Sequence, residues 1–290
     1  MAAPHQSPPL LLHDLRERLL ERVRCGRIEL PLLNASATQV VSVCSESSCD
    51  AKRLADILQR DPALAGHVLR VANSAAYAPR EPIVSLQQAI SRLGFDVMCD
   101  IALAVAVKGK IFDAKGFEGE LRVLWIHSAT AGVWAKEVAR MRRKSVEGAF
   151  LSGLLHDVGK PVVLQASLEL FREAGVPPHE AAIHTWMDEF HADVGAQLLC
   201  RWSMPDWMQT AVRWHHEPEQ APRDVADATD VAATACLADL LAHTTANSGK
   251  TSMVELRQHH VLAQLDMYAD DLDTLDERRD TVAELAQAFR

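Results

Sequence analysis

Seven residues of types that bind metal are spread through the middle of the chain: His127, His156, Asp157, His191, His215, His216 and Asp239. The densest signal is Gly153-Leu154-Leu155-His156-Asp157-Val158-Gly159-Lys160. Here a histidine and an aspartate stand side by side between an apolar run and a glycine. The run Ala149-Phe150-Leu151 with Leu154-Leu155 is too rich in large apolar side chains for a solvated face, so it reads as a buried helix. Its end then carries two polar groups inward, and buried polar groups need partners. An imidazole beside a carboxylate is a natural pair of metal ligands, and a set of both types suits iron, manganese, nickel or zinc without any thiolate. Taken alone, the dipeptide reads more simply as a hydrogen-bonded helix end with Asp157 as a cap.

The elements that must position these residues are helices. Apolar residues at helical spacing over Leu121–Met141 predict a long helix that contains His127. A helix starts at Phe190-His191 and runs through Trp202. Pro205 opens the next, which ends at Trp214-His215-His216-Glu217, where Pro218 stops it. An Ala-rich helix over Ala226–Ala246 carries Asp239 in its apolar part, and a lone carboxylate there needs a partner. Successive candidates are separated by 29, 34, 24 and 23 residues, from His127 to His156, Asp157 to His191, His191 to His215 and His216 to Asp239. Each gap is about one helical hairpin, so side chains can project inward from facing helices. His179 and His184 read as surface or packing histidines.

The remainder is helical as well. Leu10–Arg24 shows helical spacing, and its Arg, Asp and Glu mixture reads as a solvated face. Asp61-Pro62 is an N-cap followed by proline at the first helical position. Ser85-Leu86-Gln87-Gln88 fits a capping box, and Gly94 closes that helix. Asn73 reads as a helix C-cap. No run of alternating strand character is present. The expected fold is all-α, with an N-terminal multi-helix lobe at 1–112 and a second helical lobe with closing C-terminal helices at 113–290. Lys108–Gly119 is the expected join, and residues 1–9 are expected to be extended or disordered.

Composition narrows the function. The 290 residues are 48% hydrophobic and 24% charged, with a net charge of −9. That balance argues against a general nucleic-acid surface. No apolar run approaches the roughly 18 residues of a membrane span, and the N-terminus lacks a signal-peptide layout. The six Cys form no CxxC pair. A chain of this length has no need of disulfides, so they read as reduced thiols in a cytoplasmic protein.

Leu30-Pro31, Leu54-Ala55 with Ile57-Leu58, Asp61-Pro62-Ala63-Leu64, Leu69-Arg70-Val71-Ala72-Asn73-Ser74, and Ala89-Ile90 with Arg92-Leu93-Gly94 resemble, as an ordered set, the HDOD family. The later histidines and aspartates resemble the HD superfamily of metal-dependent phosphohydrolases, of which the HDOD family is a relative. In that superfamily a helix His, the His-Asp pair and a later helix Asp hold a metal. His191 before x-x-x-Gly195 and the His215-His216-Glu217 run are similar to the additions of the HD-GYP phosphodiesterases. The resemblance implies a divalent metal held by the seven residues, with His215 or His216 possible as an orienting neighbour rather than a ligand. It implies a bacterial regulatory protein that works in signal transduction through a signalling protein partner, around cyclic di-GMP, motility or virulence.

The alternative is a metal-dependent phosphohydrolase, such as a cyclic-dinucleotide phosphodiesterase, in which Lys160 holds a phosphate. The chain departs from that pattern. Where the phosphodiesterases continue into a Gly-x-Gly-Tyr-Pro segment, this chain has Pro218-Glu219-Gln220-Ala221-Pro222. Cations to offset developing charge are also few between Asp157 and Gly249, where the only lysine is Lys160. These departures argue against hydrolysis, so the regulator that the resemblance implies is preferred to the enzyme, and no catalytic residue is assigned.

Overall fold

A computed structural model describes residues 8–33, 35–45, 51–74, 77, 79, 81–111, 116–144, 146–246 and 248–289. Helix accounts for 74% of the described residues, and no strand occurs among them, so the fold is all-α. The first helices are α1 (Pro8–Arg24), α2 (Ala35–Ser45), α3 (Ala51–Gln59), α4 (Pro62–Ala72), α5 (Leu86–Leu93) and α6 (Phe95–Ile111). The central ones are α7 (Glu118–Met141), α8 (Glu147–Leu155), α9 (Gly159–Ala174), α10 (Glu180–Arg201), α11 (Asp206–Trp214) and α12 (Ala228–Thr245). A 3₁₀ turn at Pro218–Gln220 joins the last two. Four short helices close the chain: α13 (Met253–Leu256), α14 (Val261–Gln264), α15 (Ala269–Asp276) and α16 (Arg279–Gln287).

The caps follow local chemistry. Asp61 Oδ1 accepts from Leu64 N at 3.1 Å, and Pro62 opens α4. Ser85 Oγ accepts from Gln88 N at 3.1 Å. The reciprocal bond goes one residue further out than a capping box requires, from Val84 N to Gln88 Oε1 at 2.9 Å. Asn73 caps α4, and its amide does more than that. It donates to Leu69 O and Ile83 O and accepts from Ile83 N, at 2.9, 2.8 and 2.7 Å. It thereby ties the end of α4 to the strand-free segment that leads into α5.

Helices α2 to α6 pack largely on one another, and α7 to α12 do the same. Within the second group α7 lies on α8 and α12, α9 on α10, and α10 and α12 on α11. Ala129, Ala131, Gly132 and Ala135 are buried on α7, and Ala232, Ala233, Ala235, Ala238 and Ala242 on α12. Small side chains let these backbones approach closely. The two groups meet where α6 touches α8, and Lys136 of α7 reaches Asp100 of α6 at 2.6 Å. Helix α1 lies against α9 and α10. There Arg16 pairs with Glu189, and Arg18 and Arg22 pair with Glu173 at 2.8 Å each. Trp202 Nε1 also donates to Pro31 O at 2.9 Å.

Three expectations are corrected. Cys44 and Cys99 are not reduced thiols: α2 and α6 pack side by side with these Cα atoms 5.6 Å apart, and the two sulfurs are bonded. The inference from thiols to compartment does not extend to this pair. Second, no helix starts at Phe190. Helix α10 is continuous from Glu180 to Arg201, because the prolines at 177 and 178 fall before its N-cap, His179. Third, Pro8 and Pro9 belong to α1, whose first turn tolerates proline. The expectation for residues 1–7, like residues 112–115 of the expected join, lies outside the described residues.

Asn73→Ala should cost about 1–3 kcal/mol in urea denaturation, because it leaves the Ile83 backbone groups without their side-chain partner.

Candidate metal centre

The site is built where five helices converge. His156 caps the C-terminus of α8, and Asp157 follows in the tight turn before Gly159 starts α9. That turn needs small residues at two crossings. A Cβ on Gly153 would lie 2.8 Å from Ala135 Cβ of α7. A Cβ on Gly159 would collide with the His191 carbonyl oxygen and stand 2.7 Å from Gly195 N of α10. Gly195 in turn has no room for a Cβ beside Val212 of α11. Glycine at these positions is what brings His127, His156, Asp157, His191 and His215 within reach of one another.

The seven sequence candidates come together in one cluster. His127 Nε2 lies 2.9 Å from Asp239 Oδ1 and 3.8 Å from Asp157 Oδ2. His156 Nε2 lies 3.4 Å from Asp157 Oδ2 and 3.5 Å from Asp239 Oδ1. His191 Nε2 lies 3.3 Å from Asp157 Oδ1, 3.4 Å from His215 Nε2 and 3.0 Å from His216 Nε2. His156, Asp157, His191, His215 and Asp239 are buried, while His127 is half-buried and His216 opens to solvent. His179 caps α10, and His184 pairs with Glu120 at the surface, so both lie apart from the cluster. One residue that sequence reasoning missed joins it. His243 stands 3.4 Å from Asp239 Oδ1 and stacks on His127. Its signal was available as a histidine one helical turn beyond Asp239.

The backbone sets which ring nitrogens face the centre. Nδ1–H of His156 donates to Gly153 O at 2.7 Å, that of His191 to Met187 O at 2.9 Å, and that of His215 to Val212 O at 2.7 Å. A carbonyl can only accept, so each Nδ1 carries the proton and each Nε2 is turned inward. Burial pushes His191 down to about 4, and also pushes His215 well below the usual range and His216 below it. Their rings are then neutral at pH 7, the form that binds metal.

The carboxylates impose the opposite shift on His156. Burial works against its charge, but Asp157 and then Asp239 outweigh that and push it up to about 10. Burial likewise opposes ionisation of Asp157, yet Lys160 and His156 hold it well below the usual carboxylate range. Asp239 is held low by His127 and His156 against its burial. Lys160 is itself engaged, 2.7 Å from Asp157 Oδ2 and 3.6 Å from Asp188 Oδ1. Despite burial its pKa is raised, first by Asp157.

These groups fit a divalent metal. His156 Nε2 and Asp157 Oδ1 are buried without a hydrogen-bond partner. Neutral His191 and His215 face each other with bare Nε2 atoms 3.4 Å apart, an arrangement that a shared cation relieves. Three ligand-spaced groups stand side by side here, the last two sharing His127: His191, His215 and His216; His127, His156 and Asp157; and His127, Asp239 and His243. The metal itself is not specified by this donor set, which suits iron, manganese, nickel and zinc alike.

Gly159→Ala should destabilise the fold by about 1–3 kcal/mol or more, since backbone rather than a flexible side chain opposes the new methyl. Thermal denaturation would show this as a lowered Tm. Manganese or zinc at about 100 times its dissociation constant should stabilise the wild-type chain by about 2.7 kcal/mol. Calorimetry with and without a chelator checks it.

The HDOD domain family model matches residues 30–218. A protein of Treponema pallidum (strain Nichols), itself uncharacterised, is 23% identical over 206 residues, which is 68% of this chain. The chain spans only 39% of that relative's length. A solved structure from Shewanella amazonensis SB2B, provisionally named a metal-dependent phosphohydrolase, is similar with a TM-score of 0.71 at 19% identity, covering 97% of this chain and 99% of the other. Another, from Marinobacter aquaeolei VT8 and provisionally named a signal transduction protein, has a TM-score of 0.67 at 21% identity, covering 99% and 67%. Both likenesses are of fold. The match to the family, over residues that include the Asp61-Pro62 and Asn73 motifs and most of the histidine cluster, places this chain in the HDOD domain family.

Proposed function

We propose that the chain is a bacterial regulatory protein of signal transduction that acts through protein contacts, and that its histidine and aspartate cluster holds a divalent metal. The seven sequence candidates would hold that metal. Bound there, it would acidify a water and offset the charge of an anionic ligand. The observation that carries the regulatory reading is the state of Lys160. The one lysine that could hold a phosphate is bound by Asp157 at 2.7 Å and by Asp188 at 3.6 Å. A phosphodiester needs cations free to meet the charge that develops on it. Arg213, another cation of this region, is paired with Asp193 at 2.8 Å.

The segment after His216 supports the same reading. Pro218 is buried in a 3₁₀ turn packed against α12, where a glycine-rich approach to a ligand would otherwise sit. The acidic chain offers no long-range attraction to an anionic substrate or to nucleic acid. No helix among the described residues is long and apolar enough to cross a membrane. A solved neighbour of the same fold is provisionally named for signal transduction, and cyclic di-GMP control of motility or virulence is the pathway we propose.

The second reading is a metal-dependent phosphohydrolase. It is favoured by the inward Nε2 of His156, which has no partner, and by the solvent opening at His216. The name carried by the Shewanella structure points the same way. Under the regulatory reading, cyclic di-GMP and its linear product should show little or no turnover with added manganese or iron. Multiple-turnover hydrolysis that disappears in both His156→Ala and Asp157→Ala would establish the enzyme instead.

A further inference from the structure

We infer that His243 is a metal ligand, and that with Asp239 and His127 it forms a metal position distinct from the one bounded by His191, His215 and His216. The inference rests on the metal reading proposed above. The residue lies outside the set that the sequence pattern selects, and its placement comes from the packing of α12 on α7.

Three observations support it. The ligand atoms of His127, Asp239 and His243 all lie within 4.8 Å of one another. Asp239 Oδ1 is approached by three imidazole nitrogens, from His127 at 2.9 Å, His243 at 3.4 Å and His156 at 3.5 Å. One carboxylate oxygen has two lone pairs, so three rings converge on more capacity than hydrogen bonding can use. Lastly, the His243 ring is oriented from behind. Its Nδ1 lies 3.2 Å from Ser248 Oγ, which leaves Nε2 facing the carboxylate. A partner on the outer nitrogen is the usual companion of a ligating imidazole.

The stacking of His243 on His127, with centroids 4.4 Å apart and 29° between planes, presents both Nε2 atoms to the same oxygen. The two positions sit on opposite sides of Asp157. Its Oδ2 faces His127 and its Oδ1 faces His191. Imidazole with carboxylate selects a divalent transition ion of intermediate softness for the new position. The simpler role for His243 is to hydrogen-bond Asp239 within α12 as an i,i+4 pair. In that role the residue would affect stability but not the number of ions bound.

The test uses the full chain, stripped with a chelator and reloaded with Co(II). Bound cobalt is counted by elemental analysis after dialysis, and the ligand environment is read from the visible absorption spectrum. Circular dichroism confirms that each variant is folded. The wild-type chain should bind more than one cobalt. His243→Ala should lose about one equivalent, or more than the roughly 10–100-fold in affinity that loss of an orienting partner costs. His243→Asn, which keeps a polar group at the same place, should show the same loss if the alanine variant does not fold. His184→Ala at the surface should match the wild type. If a folded His243 variant keeps the full cobalt content and the wild-type spectrum, His243 is not a ligand while the metal reading stands. Failure of the wild-type chain to take up any cobalt would overturn the metal reading and this inference together.

Discussion

Two carboxylates, Asp157 and Asp239, are taken out of water by this fold, and the helices around them are arranged to meet their charge. An ion of this size moved from water to a protein interior costs several kcal/mol even after relaxation. Lys160 supplies the opposite charge, and the His156 and His127 rings turn nitrogens toward the carboxylates. These partners come from α7, from the turn after α8 and from α9. Loss of any one leaves a buried charge uncompensated, so the cluster ties the relative positions of its helices to its own electrostatics.

Charge could be met in this way only if the helices came unusually close. Gly153 against α7, Gly159 against α10 and Gly195 against α11 remove the methyl groups that would hold them apart. The alanines of α12 let it lie between α7 and α11. A packed interior does not deform continuously, so contacts of this kind hold the helices, and the ligand atoms they carry, in place. That rigidity suits a metal centre and equally suits a regulator whose surface has to keep one shape.

The N-terminal helices are joined to this centre by contacts of a different kind. Lys136 reaches Asp100 across the junction of α7 and α6, and arginines of α1 reach Glu173 on α9 and Glu189 on α10. The α1 pairs are exposed, and exposed ion pairs contribute about 0–1 kcal/mol each. They orient α1 on the helices that carry the cluster without adding much to its stability. The segment after His216 contributes in the opposite way, through a buried proline that fixes the exit of α11.

Much of this was legible in the chain itself. Helices were readable because apolar spacing and caps such as Asp61-Pro62 are properties of neighbouring residues. Seven cluster members were readable because a histidine or aspartate within an apolar helix needs a partner, and their order matched a known pattern. Helix α10 was read short because Pro177-Pro178 obscured its start, although His179 caps it directly. His243 was not readable: a histidine near the end of an alanine-rich helix looks ordinary until α12 is laid on α7. The Cys44–Cys99 bond joins residues 55 apart in sequence, and no spacing rule pairs them. Lys160 stood beside Asp157 in the sequence as a candidate phosphate holder, but only the turn between α8 and α9 aims its ammonium at that carboxylate. Local periodicity and capping are written in contiguous residues. Which side chains share one buried space depends on how whole helices pack, and that was decided by tertiary structure alone.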